Sequence, residues 1–118
     1  MLNFSANIEF RLREHVPDAL QAAQFALDNE VMKHSNYYIP KDTGALEASA
    51  LTYSRLGGGH VGWNTPYARK LYYNPDINFS KDRNPNAQAL WFEAAKANKT
   101  QDWLYKTKQA FLQYFLNR

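Results

Sequence analysis

The stretch ALTYSRLGGGHVGW, residues 50–63, decides what fold this chain is expected to adopt. Leu51 and Tyr53 alternate with Thr52 and Ser54, the period-two pattern of a strand with one covered face. Residues 60–63 read as a second strand, and Gly57, Gly58 and Gly59 join the two, because glycine turns a chain through positive φ at little steric cost. The same glycines raise a competing reading, a phosphate-cradling loop. Such a loop needs a helix directly after the glycines so that its first amides point at the anion. Here a strand pattern follows, and neither GK[ST] nor G-x-G-x-x-G is present. The glycines therefore read as a hairpin tip.

Upstream, residues 2–13 place Phe4, Ala6, Ile8 and Phe10 on one face and Asn3, Ser5, Asn7, Glu9 and Arg11 on the other, which reads as a half-buried first strand. Pro17 and Asp18 then open a helix, since proline is tolerated in the first turn and an acidic residue suits the positive end of the helix dipole. Val16, Leu20, Ala23, Leu27, Val31 and His34 carry that helix to about Ser35 at spacings of three and four. Pro40 biases Ile39 away from helix, and Asp42 or Thr43 can cap a short helix from Gly44 to about Ser49. Leu46 and Ser49 lie in it.

Downstream, Thr65 is a candidate N-cap with Pro66 at the first helical position, giving a turn or two of helix. Residues 74–86 are rich in Asn, Asp, Pro and Ser and read as a long, flexible arm. Two C-terminal helices follow, NAQALWFEAAKAN and QDWLYKTKQAFLQYFLNR. The expected architecture is α+β in a single domain covering residues 1–118. It has a small antiparallel sheet, a long helix in the N-terminal half, two C-terminal helices and the arm.

Composition narrows the chemistry. The chain has no cysteine, which removes disulfide scaffolds, thiol catalysis and cysteine-based zinc sites. No run of about 18 apolar residues is present, so no membrane is expected as a partner. Residues 1–59 carry five Lys/Arg against seven Asp/Glu, a net −2, whereas residues 60–118 carry nine against four, a net +5. Such asymmetry suits nucleic acid, or complementary faces of neighbouring subunits, although a solvated surface is the plainer reading.

The three histidines form no recognisable site. His34 follows Glu30 by four residues, but a zinc-protease helix needs two histidines, so packing near a helix end suits it better. His60 beside the glycines has no general-acid partner at a telling spacing. Arg69, Lys70, Lys81 and Arg83 interleave with Tyr67, Tyr72, Tyr73 and Phe79, ingredients shared by a single-strand nucleic-acid surface and by a protein interface with tyrosine anchors. Trp63, Trp91, Phe92 and Trp103 read as core, since large rings dominate small cores.

Three motifs separate these readings when taken together. IPKDTGALEAS, with Pro40, Asp42, Thr43, Gly44, Leu46 and Ser49, then VGWNTPYARKLYY, then NFSKDRNPNAQALWFEAAK, resemble in order and spacing the small minor capsid proteins of long-tailed bacteriophages. Those belong broadly with head-tail connector, neck and tail-completion proteins. The resemblance implies a structural virion protein with no enzymatic activity and no cofactor. It would be made in the host bacterial cytoplasm and work as a ring at the head-tail junction, between the portal vertex and the tail. Implied partners are sister subunits, neighbouring head-closure, portal-adaptor or tail proteins, and passing DNA through non-specific contact. Tyr67, Arg69, Lys70, Tyr72, Tyr73, Phe79, Lys81 and Arg83 are then the expected interface. The alternative is a small nucleic-acid-binding or nucleic-acid-processing protein using residues 60–83.

Overall fold

The computed structural model describes residues 2–41, 44–74 and 84–116. Its elements are α1 (Leu2–Asn36), α2 (Ala45–Tyr53), α3 (Ala68–Tyr72) and α4 (Trp91–Leu116). No strand occurs among the described residues; a single isolated antiparallel bridge, Arg55 to His60, closes the glycine turn. The expected α+β class and its antiparallel sheet are therefore wrong, and the architecture is helical.

Each misread segment has a local cause. Residues 2–13 also place Phe4, Ile8 and Leu12 four apart, a helical spacing that alternation conceals, and the segment is continuous with the next as α1. Pro17 thus lies inside a helix and does not open one. It leaves the bond to the Arg13 carbonyl unmade, at an exposed position where water can take the freed acceptor. The supposed strand around Leu51 and Tyr53 is the last turn of α2, whose ALEASALTY sequence is dominated by Ala, Leu and Glu, good helix formers. Leu46 and Ala50, four apart, are its buried residues.

The two expected C-terminal helices are one. Between them, the Asn98 and Thr100 side chains donate to the carbonyls of Ala94 and Lys96, four residues back, so these polar residues ride on the helix without breaking it.

Helices α1 and α4 pack antiparallel along their length. Asn98 Nδ2 donates to the Tyr38 hydroxyl (3.1 Å), Trp103 Nε1 donates to His34 Nδ1 (2.7 Å), and the Tyr114 hydroxyl donates to Asp18 Oδ2 (2.9 Å). Beyond Asp18, α1 continues sixteen residues toward Leu2, about 24 Å at 1.5 Å per residue. Beyond Tyr114, α4 continues only to Leu116. The molecule is accordingly long, 67 × 24 × 20 Å, with a radius of gyration of 18.7 Å. A compact chain of this length would have about 13–14 Å.

The packed core sits at one end of the hairpin. Ile39, Leu46, Ala68 and Trp91 are buried together, with Tyr38, Trp63, Leu71 and Tyr72 against them. Buried Asn84 staples this end, donating to the carbonyls of Tyr37 (2.8 Å) and Ile39 (2.7 Å) while accepting from the Asn86 amide (3.1 Å). Elsewhere the α1–α4 seam is lined largely by alanine: Ala19, Ala23 and Ala95 are buried.

Candidate functional site

The glycine turn that the sequence singles out is held by α1. Asp28, only 4% exposed, accepts hydrogen bonds from the amides of Gly57 and Gly59, both at 2.9 Å and both to Oδ2. Its Oδ1 accepts from Gln24 Nε2 (2.8 Å), and Gln21 Nε2 donates to the Gly57 carbonyl (2.9 Å). Gly57 and Gly59 have φ of 90° and 77°, the left-handed region that lets successive amides converge on one acceptor. The loop does cradle an anion, and the anion is the chain's own carboxylate. A phosphate would have to displace a buried, triply bonded group, so the nucleic-acid alternative has no free cradle here.

His60, beside this turn, packs edge-on against Tyr53 with ring centroids 5.2 Å apart. Its Nδ1 is buried without a hydrogen-bond partner, and no group of three or more metal-ligating side chains occurs among the described residues. His34 has the packing role expected of it. It stacks on Trp103 with centroids 6.2 Å apart and accepts the indole proton, and its Nε2 lies 3.6 Å from Glu30. Burial pulls its pKa below the ordinary histidine value, outweighing the upward pull of Glu30.

Between the turn, α1, α3 and the start of α4 lies an open groove of about 770 Å³. Its apolar lining comes from Leu27 and Val31 of α1, Trp63, Tyr72, Trp91 and Phe92, and Arg69 and Tyr73 contribute from α3. Trp91 is 1% exposed and takes the edges of Tyr72 (centroids 4.7 Å) and Trp63 (6.0 Å). Trp63 Nε1 donates to Asn36 Oδ1 (2.8 Å), and Phe92 stacks on Trp103. Burial, with Glu93 nearby, raises the Tyr72 hydroxyl pKa, so that phenol stays neutral and able to donate.

The expected interface residues divide. Tyr67 and Tyr73 are about two-thirds exposed, and Arg69 and Lys70 are exposed on α3. The Arg69 guanidinium lies 6.0 Å from the centre of the Tyr73 ring, a cation–π distance. Tyr72 belongs instead to the core. Phe79, Lys81 and Arg83, with most of the expected arm, lie outside the described residues, as do Asp42 and Thr43.

The capping scheme is also adjusted. Gly44 itself occupies the N-cap of α2 at φ 80°, with no side-chain cap. Tyr67 occupies the N-cap of α3, so Thr65 and exposed Pro66 form the turn before it, where the Ala68 amide bonds the Thr65 carbonyl. Ser49 ties α2 to the following loop, donating to the Leu46 carbonyl (2.6 Å) and accepting from the Asn64 amide (3.1 Å). Asp28, Gln21, Gln24 and Asn84 escape sequence reasoning. The signal for the first three is a polar stripe at spacings of three and four through an otherwise apolar helix.

A helical hairpin without a metal cluster among its described residues, with a turn anchored by its own carboxylate and a row of exposed rings, is built for contact. Comparison with known families agrees. The model of the minor capsid protein family matches residues 5–113, and the chain belongs to that phage family. It is thus a structural component of a phage virion, which points away from catalysis. No curated protein and no solved structure gives a significant match. No helix among the described residues is long and apolar enough to cross a membrane.

Proposed function

We propose that this minor capsid protein is a ring-forming subunit of the head-tail junction, seated between the portal vertex and the tail, where it helps complete the head and attach the tail. The observation that carries this reading is the α3 surface. Tyr67 and Tyr73 stand about two-thirds exposed with Arg69 and Lys70 beside them, next to an apolar groove, in a chain whose family is structural. Tyrosine and arginine together supply wide, amphipathic contact area and are enriched among residues that dominate interface energy. Sister subunits and adjoining neck proteins are the partners such a surface would grip.

The test is phage carrying Tyr67→Ala, Arg69→Ala and Tyr73→Ala together. All three side chains are exposed or bonded only to one another, so the subunit keeps its fold. The expected lysate contains DNA-filled heads separated from free tails. Normal tailed particles, or label for this protein found over the capsid faces and absent from the vertex, would overturn the reading.

A further inference from the structure

The α1–α4 hairpin leaves a second apolar face uncovered. On α4, Trp103, Thr107 and Tyr114 turn toward α1, whereas Leu104, Leu112 and Leu116, with Lys108 between them, recur at multiples of four residues and are exposed, as is Tyr105. On α1, Leu20, Leu27 and Val31 share one flank at spacings of seven and four; Leu20 is exposed and the other two are half-buried. Because the helices are right-handed and antiparallel, the flank reached by advancing around each from their shared seam lies on the same side of the hairpin. One broad apolar face results.

We infer that a second copy of this chain covers that face, with its two-fold axis along the hairpin, so that four helices form a bundle in which each α4 is flanked by both copies of α1. Charge selects this arrangement. Helix α1 carries five acidic and three basic residues, and α4 carries four basic and two acidic ones. The signs persist when buried Asp28 and the Glu30–Lys33 and Lys99–Asp102 pairs are set aside. Pairing α4 with the other copy's α1 sets opposite charges side by side and puts like helices on the diagonals.

Register agrees. The Asp18–Tyr114 bond fixes which residues are level on the two helices. Counting from it sets Val16 level with Leu116, Leu20 with Leu112, and Leu27 with Tyr105, apolar against apolar at each step. A two-fold axis parallel to the helices preserves those levels between copies. This inference rests on self-association of the chain and is independent of its position in the particle.

The test uses the whole chain in solution, and the absence of native cysteine makes it clean. Sedimentation at rising concentration should give a species of twice the 13.7 kDa chain mass. Leu112→Glu should weaken association by about tenfold or more while helical circular dichroism is retained, because the side chain is exposed. Leu51→Glu, 70% exposed on α2, should leave association unchanged. Chains carrying only Leu20→Cys mixed with chains carrying only Leu112→Cys should give mainly the mixed disulfide on mild oxidation. A chain that stays monomeric throughout, an unaffected Leu112→Glu dimer, or a 112–112 disulfide exceeding the mixed one would each overturn the inference.

Discussion

The two ends of the hairpin are built on different terms. At the Trp91 end, rings interlock edge to face, Asn84 and Asp28 each make several bonds to backbone, and the largest buried side chain is 1% exposed. At the Tyr114 end the seam holds Ala19 and Ala23, while Leu20, Leu112 and Leu116 face outward. Buried apolar area and satisfied polar groups are what offset chain entropy, so the first end is stable by itself and the second is completed by contact with another surface. A structural subunit benefits from this division: one end keeps its shape before assembly and the other contributes energy to assembly.

The sharpest way to break this contrast is Trp91→Ala. Removing a fully buried indole around which Tyr72, Trp63 and Ile39 pack should cost about 3–5 kcal/mol in denaturant unfolding of the free chain. A loss under about 1 kcal/mol would mean that the ring cluster is not the stabilising centre.

Asp28→Ala comes next. It leaves the Gly57 and Gly59 amides without their acceptor, and about 2–3 kcal/mol should be lost, together with hydrogen-exchange protection of both amides. Retained protection would show that the turn holds its shape without the carboxylate.

A smaller effect tests the middle of the seam. His34 is harder to protonate in the folded chain than in the unfolded one, so its contribution is complete above pH 6.5 and is lost as pH falls through the lowered folded pKa. Protonation at Nδ1 also removes the acceptor for the Trp103 indole. Stability should therefore fall between pH 7.5 and 5.5, and His34→Gln should flatten that fall; an equally steep profile in the variant would exclude His34 as its source.

Smallest of all, Leu116→Ser should change the free chain's stability by no more than about 0.5 kcal/mol, since the side chain is 79% exposed. A loss comparable to that of Trp91→Ala would erase the difference between the two ends.

Much of this could be read from residues, and the failures share a cause. The long helix through Leu20, Leu27 and Val31, the turn at Gly57 and Gly59, and the short helices after Gly44 and Pro66 follow from local spacing and backbone freedom. The strands did not survive, because short segments such as residues 2–13 and 50–54 satisfy both a period of two and a period near four. Only their connection to neighbouring helices decides between them. At the site, Tyr67, Arg69 and Tyr73 share the small α3 surface because they fall within seven residues of one another. Asp28 was not legible, since its role depends on a contact 29 residues away that no local pattern announces.

The most direct test of the account is hydrogen exchange measured on the free chain and on the same chain within the virion. The account predicts that amides at Gly57 and Gly59 are protected in both, whereas residues 104–116 of α4 exchange readily in the free chain and slow markedly in the particle. Equal protection of residues 104–116 in the two states would contradict it, because that end would then owe nothing to assembly.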